Sequence, residues 1–166
     1  MAVAQNWGPM GFENPLGSLP VLRPGLEGAG QSYTTNDIVA LSGGYIVLAI
    51  PAGTTATAGM ALLGYPDRDA SGVQGTPVNV SMFQPGHVQR MPIYQGAAGN
   101  AVTAQTDVGT AYGLRNDIVQ GYCVSKDEIV FTKGRIIGIA ADFPVGEPNG
   151  LVDYEFFTTQ EQGGGV

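Results

Sequence analysis

The sequence predicts an all-β domain, a small barrel or sandwich of short antiparallel strands, preceded by an extended Gly/Pro-rich N-terminal arm. Segments rich in β-branched and aromatic residues recur about every ten residues, with turn residues between them. No window keeps a period of 3.6 residues, so we expect little helix. The predicted organisation is an arm at 1–32, a β-barrel domain at 33–160 and a flexible tail at 161–166.

The arm sets large apolar side chains among glycines and prolines. Proline fixes φ and removes a backbone donor, so we expect neither a helix nor a central strand there. A segment that only meets solvent would contain few large apolar groups. We therefore predict that the arm binds a partner surface; the alternative is that it wraps its own barrel. The predicted anchors are Trp7, Phe12, Leu16 and Leu22.

The first half of the domain contains five predicted strands. Pro51 and Pro66 end two of them, because proline cannot continue a strand ladder. Thr54–Gly59 is small and polar and is predicted as a loop, and Pro85-Gly86 predicts the turn of a hairpin. The predicted strands are Asp37–Leu41, Gly44–Ile50, Met60–Tyr65, Val78–Phe83 and Val88–Tyr94.

The second half contains five more predicted strands and at most one short helical turn, near Thr106–Tyr112. The last strand alternates, and its Val152, Tyr154 and Phe156 face is predicted to point into the core. The opposite face, with Asp153 and Glu155, is predicted to be solvated. The predicted strands are Ala101–Gln105, Ala111–Leu114, Gly121–Ser125, Arg135–Phe143 and Leu151–Phe157.

Charge and cysteine content limit the classes of function. The net charge of −7 disfavours binding to nucleic acid or to anionic membranes, since both require clustered Lys and Arg. Cys123 is the only cysteine, so no disulfide can form within the chain. The N-terminus lacks a basic region followed by a long apolar run, so we expect no signal peptide and synthesis in a reducing cytoplasm.

The chemically competent side chains are few and scattered. His87 is the only histidine, and its place after Pro85-Gly86 predicts a solvated turn residue. Cys123 lies in a predicted strand, which favours a buried apolar role over that of nucleophile or metal ligand. We therefore predict no catalytic residue, no resident metal and no cofactor.

One loop partly matches a calcium-binding pattern. Asp67-Arg68-Asp69-Ala70-Ser71-Gly72 has the D-x-D-x-S-G spacing, but Val78 stands where the bidentate acid is required. The spacing favours an Asp-rich surface turn, and leaves open a weak cation site completed by a neighbouring molecule. Asp153 and Glu155, two acids on one strand face, are predicted to be solvated rather than a glycosidase pair.

The aromatic residues concentrate in the second half of the domain. Core packing accounts for about half of them, and the others suit a contact between subunits because tyrosine combines apolar area with a polar tip. Tyr112 and Tyr122 are the predicted contact residues in this group.

Three blocks within 101–157 resemble a known family. AVTAQTDVGTAYGL, then GYCV, then GLVDYEFF follow the order found in small β-barrel decoration, or cement, proteins of tailed-phage heads. The resemblance covers about a third of the chain, and residues 1–95 do not share it. It implies a non-enzymatic virion protein, made in the host cytoplasm, that decorates the outer capsid surface and staples neighbouring major capsid proteins. We also expect self-association on the capsid, as a trimer rather than a dimer.

Two other functions fit the same residues. The first is a minor tail or fibre-base protein, which would also be structural. The second is an enzyme or carbohydrate-binding module with a cleft beside Tyr112 and Tyr122. A sugar-binding module should display those rings to solvent, whereas a cement protein should bury them against neighbours.

Overall fold

A computed structural model describes residues 21–57, 60–94, 96, 99–143 and 145–157. This part of the chain is all-β, as predicted, and forms two antiparallel sheets with a single 3₁₀ turn at Gln105–Asp107. The strands are β1 (Leu22–Leu26), β2 (Val39–Ser42), β3 (Tyr45–Leu48), β4 (Thr54–Thr55), β5 (Leu62–Pro66), β6 (Pro77–Met82), β7 (Val88–Pro92), β8 (Ala111–Asp117), β9 (Gly121–Ser125), β10 (Gly134–Ile139) and β11 (Leu151–Phe156).

The first sheet has the order β1-β6-β5-β2-β3 and curls until its two edge strands meet. Glu27, just after β1, forms a parallel bridge with Ile46 of β3. The Gly28 N–H donates to the Ile46 carbonyl at 2.9 Å, and the Leu48 N–H donates to Gln31 Oε1 at 2.8 Å. These bonds satisfy backbone groups that an open edge would leave unpaired.

The second sheet has the order β4-β8-β10-β11-β7, with β9 paired to β8. In this sheet, too, the last strand of the order, β7, lies close to a strand at the other end, β9. Ile93, after β7, bridges Val124 of β9, and the Tyr94 N–H donates to the Val124 carbonyl at 2.9 Å. The strands β8, β10, β11, β7 and β9 therefore form a nearly continuous ring of pairing.

The core consists of two apolar clusters that lie on opposite faces of the first sheet. The smaller one contains Tyr33, Val39, Ile46, Leu63, Val78 and Val80. The larger one joins the two sheets and includes Leu62, Tyr65, Phe83, Leu114, Ile136, Val152, Tyr154 and Phe156. Every residue of β5 is buried: Leu62 and Tyr65 enter the larger cluster, and Leu63 enters the smaller one.

The last strand has the predicted facing. Val152, Tyr154 and Phe156 are buried, and the Tyr154 hydroxyl donates to the Tyr112 carbonyl at 2.6 Å. The acids of the opposite face are half-buried rather than fully solvated, because each pairs with an arginine across the sheet. The ion pairs are Arg90–Asp153 at 2.8 Å and Arg135–Glu155 at 2.6 Å.

The structure differs from the sequence prediction at the end of the arm. Leu22–Leu26 form an edge strand beside β6, so the domain begins no later than Leu22 rather than at residue 33. Because the Val21 carbonyl and the Glu27 N–H both bond toward β6, the intervening Pro24 nitrogen points away from β6. Proline is tolerated there because no ladder donor is needed. Residues 1–20 and 158–166 lie outside the described residues.

Three local predictions are also corrected. Ala101–Gln105 is not a strand: Val102 makes only an isolated bridge with Pro148, and the 3₁₀ turn begins at Gln105. The predicted loop Thr54–Gly59 contains the two-residue strand β4, which pairs with β8. The Pro85-Gly86 turn exists, with the His87 N–H bonded to the Gln84 carbonyl at 2.9 Å, but it joins strands of different sheets instead of a hairpin.

Candidate functional site

His87 is not a solvated turn residue, so that prediction is wrong. Its ring is half-buried against two core aromatics, with centroids 5.1 Å from Phe83 and 5.6 Å from Phe156. Burial lowers the pKa of His87, because the charged imidazolium loses hydration there. The surroundings of this ring are those of a packing residue.

Cys123 is fully buried on β9, as predicted. Burial, with a contribution from the Asp117 charge, raises the pKa of its thiol to about 12. A thiol with that pKa is almost entirely protonated at neutral pH and is a poor nucleophile.

The Asp-rich loop uses its carboxylates to hold its own chain. Asp67 accepts hydrogen bonds from the backbone and side-chain amides of Asn79 at 3.0 and 2.8 Å. Asp69 accepts from the Thr35 N–H at 2.9 Å. Within the described ranges, no group of three or more His, Cys, Asp or Glu side chains could hold a metal ion. The arrangement fits the surface-turn interpretation of this loop.

A buried carboxylate that the sequence did not reveal binds the same loop. Glu27 is fully buried and accepts from the Ser71 N–H and hydroxyl, both at 3.0 Å, and from the Gly72 N–H at 2.6 Å. Arg68 lies 3.9 Å from it. Burial opposes ionisation, but the hydrogen bonds from Ser71 and Gly72 outweigh it and lower the pKa of Glu27. The Ser-Gly part of the calcium-like motif therefore binds a carboxylate of its own chain.

A second buried charged group holds the segment before β8. Lys126 and Asp107 pair at 2.8 Å with both side chains nearly inaccessible. Asp107 also accepts from the Tyr112 hydroxyl at 3.1 Å and the Ala104 N–H at 2.8 Å, and Lys126 donates to the Val102 carbonyl at 2.9 Å. These bonds replace the ladder that the predicted strand Ala101–Gln105 would have supplied.

The two tyrosines predicted to contact a partner serve the fold. Tyr112 is 8% exposed, and its hydroxyl bonds to Asp107. The half-buried Tyr122 ring packs against the larger core, and its hydroxyl links the Ile38 N–H at 3.0 Å to Asp37 at 3.2 Å. The hydroxyls of both tyrosines are therefore bonded within the domain.

The remaining candidate site is apolar surface. Leu22, the one predicted arm anchor among the described residues, is 57% exposed on β1; Leu26 of the same strand is 46% exposed, and Val21, just before the strand, is 52% exposed. These three residues, termed the β1 row, follow directly on the stretch that contains Trp7, Phe12 and Leu16, which lie outside the described residues. Ile118 and Val119, termed the hairpin tip, are 80% and 72% exposed between β8 and β9. Exposed apolar groups of this kind mark contact surfaces when they cluster.

Comparisons with known proteins find no match for this chain. No protein-family model matches the chain, and comparisons with curated proteins and with solved structures return no match. In the described ranges, no helix is both long and apolar enough to cross a membrane.

Proposed function

We propose that this chain is a structural virion protein that decorates the outer surface of a phage head. It binds neighbouring major capsid proteins and stabilises the expanded shell. The observation that supports this most is the β1 row: exposed apolar residues on an edge strand that continues directly from the apolar, Gly/Pro-rich N-terminal segment. When a partner covers large apolar groups, the free energy falls by about 25 cal/mol for each Å² of apolar surface that is buried.

The attachment of β1 suits a strand that transmits binding from the N-terminal segment to the domain. Glu27 fixes the end of β1 through its side chain, and its N–H donates to the Thr76 carbonyl at 2.8 Å. The Gly75 N–H returns a bond to the Glu27 carbonyl at 2.9 Å. A partner that grips residues before β1 is thereby coupled to the first sheet.

The stabilising mechanism is mass action. A protein that binds the expanded lattice and not its precursor shifts the equilibrium toward the expanded state. Many copies that each grip two or more capsid subunits add avidity to weak single contacts. This mechanism requires no chemistry, and it agrees with the burial of His87 and Cys123 in packing environments.

Co-sedimentation with purified expanded heads that lack the protein tests this proposal. The full chain should saturate the heads, and a variant without residues 2–20 should bind at least about tenfold more weakly, which corresponds to about 1.4 kcal/mol. This deletion keeps β1 and Glu27, so its melting temperature should stay close to that of the full chain. The double variant Leu22→Asp, Leu26→Asp should also bind weakly, whereas the control Val73→Asp, on an exposed loop, should bind normally.

The same experiment can contradict the proposal. A full chain that does not sediment with expanded heads would exclude a decoration role. A folded truncated chain that binds as tightly as the full chain would show that the N-terminal segment is not the attachment.

A further inference from the structure

The tight turn before β11 contains an Asn-Gly pair that the backbone geometry favours. The turn is closed by a bond from the Gly150 N–H to the Glu147 carbonyl at 3.2 Å. Asn149 has a φ of 56°, the only positive value outside glycine among the described residues, and asparagine tolerates this conformation well. A Cβ at Gly150 would lie 2.7 Å from Thr103 Cγ2, so the fold requires glycine after this asparagine.

An asparagine that precedes glycine is chemically labile, because no side chain shields the backbone nitrogen of the second residue. The deprotonated Gly150 nitrogen attacks Cγ of Asn149, and the new C–N bond closes a five-membered succinimide. The bond from Cγ to Nδ2 breaks, and Nδ2 leaves as ammonia with the proton that the backbone nitrogen lost. Water then opens the ring at either carbonyl, so that the products are aspartate and isoaspartate.

The side-chain amide of Asn149 is held by its oxygen and not by its nitrogen. Its Oδ1 accepts a hydrogen bond from Gln120 Nε2 at 2.8 Å, whereas its Nδ2 makes no hydrogen bond to any residue that the structure describes. The leaving nitrogen is therefore unrestrained. The oxygen on which negative charge develops during the attack already has a donor, and a donor placed in advance stabilises such a charge.

Three other asparagines in the described ranges are held in the opposite way. Each donates through Nδ2 to an acceptor of the fold, and none of them precedes glycine. The bonds run from Asn79 to Asp67 at 2.8 Å, from Asn100 to Asp127 at 2.7 Å and from Asn116 to the Ile50 carbonyl at 2.9 Å. Because Asn100 is also half-buried in a turn, it is the matched internal comparison for Asn149.

We propose that Asn149 is a site of spontaneous deamidation, and that Gln120 accelerates the reaction by donating to Oδ1. The isoaspartyl product inserts a methylene into the backbone directly before β11. Two bonds lie on either side of that methylene: the Asn149 N–H to the Ala101 carbonyl at 3.2 Å, and the Ile93 N–H to the Gly150 carbonyl at 3.1 Å. The product cannot keep both, so the end of β7 loosens from the start of β11. The inference is independent of the proposed function, which gives this turn no role.

Peptide mapping of the full chain tests the site. The protein is held at physiological temperature in mildly alkaline buffer and digested with trypsin, which places Asn100 and Asn149 in different peptides. Mass spectrometry measures the conversion of each amide to acid, and electron-transfer fragmentation distinguishes isoaspartate from aspartate. Conversion at Asn149 should be several-fold faster than at Asn100. Conversion at Asn149 that is no faster than at Asn100 would overturn the proposal.

Hydrogen exchange measures the consequence for the fold. The Ile93 amide should exchange faster in aged wild-type protein than in fresh protein. Asn149→Gly is the matched control, because glycine accepts the positive φ and carries no reactive amide. Ageing should not change exchange in this variant. Equal acceleration in the two chains, or none in aged wild type, would contradict the loosening.

Gln120→Met tests the activating donor, since methionine has a similar length and cannot donate a hydrogen bond. Conversion at Asn149 should be several-fold slower in this variant than in wild type when both are folded. The two chains should react at equal rates in concentrated urea, where the fold no longer brings residue 120 to Asn149. Conversion in the folded variant that is as fast as in wild type, or faster, would show that Gln120 does not activate the amide.

Discussion

Phe156 lies at the centre of an aromatic group in the larger core. Its ring stacks on Phe83 with centroids 4.0 Å apart and meets Tyr154 edge-on at 5.4 Å. The half-buried His87 contacts the same ring. Because Phe83 and Phe156 come from different sheets, this aromatic group joins the two halves of the domain.

Replacing Phe156 with alanine should cost about 3–5 kcal/mol of unfolding free energy, because it removes buried area and leaves a cavity. Urea unfolding measures this cost. Phe157→Ala, at the adjacent half-buried position, is the control and should cost less than about 1 kcal/mol. Equal costs for the two variants would show that the ring stack does not join the sheets.

His87 should make stability depend on pH near neutrality. Burial lowers its folded-state pKa below the unfolded value of about 6.5, so the unfolded chain binds the proton first. The unfolding free energy should therefore be constant well above pH ~6.5 and should fall as the pH drops below that value. Urea unfolding of wild type and His87→Gln from about pH 7.5 to about pH 5.5 measures the slope, which should be smaller in the variant. An unchanged slope in His87→Gln would contradict this assignment.

Among the elements, β1 shows how one side chain can fix a strand. The sequence of this strand, which contains proline and glycine, has poor strand propensity, and most of its residues are exposed. It pairs with β6 along its whole length, and Glu27 holds its end to Ser71 and Gly72. The strand is therefore held by its ladder and by one buried carboxylate rather than by an apolar face.

Glu27→Gln should loosen β1 selectively, because the amide cannot accept all the hydrogen bonds that the carboxylate accepts from Ser71 and Gly72. Hydrogen exchange should accelerate for the amides of β1 that bond to β6, and exchange in β10 and β11 should not change. Glu147→Gln, at an exposed site, is the control. Uniform acceleration over both sheets, or none in β1, would show that Glu27 does not act locally.

At the level of the whole molecule, the domain presents apolar residues at separate places on a well-packed acidic body. The β1 row and the hairpin tip belong to different sheets. The proposed decoration role uses the first of these surfaces, the β1 row.

Bound protein should protect expanded heads from thermal rupture in proportion to the logarithm of its free concentration. Mass action gives about 2.7 kcal/mol of stabilisation when the free concentration is about 100 times Kd. Release of packaged DNA, followed by dye fluorescence on heating, measures the rupture temperature over a concentration series. The chain without residues 2–20 serves as control. A rupture temperature that does not vary with concentration would contradict stabilisation by binding.

The sequence by itself determined the features that depend on neighbouring residues. The period of two in Leu151–Phe156 identified the buried face, and the apolar neighbours of Cys123 on Gly121–Ser125 predicted its burial. The all-β class followed from turn spacing and from the lack of helical period. The sequence reveals these features because successive side chains of a strand point to opposite faces, so the facing of each residue follows from its near neighbours.

Tertiary structure alone decided the features that join residues far apart in the chain. Phe83 and Phe156 pack against the half-buried His87 ring, and Pro85-Gly86 joins different sheets because β6 and β7 pair with other strands. Glu27 becomes buried because Ser71 and Gly72 supply its donors from 44 and 45 residues away. Strand pairing and the burial of charged side chains are determined by the free energy of packing the whole chain. No local sequence pattern encodes that free energy.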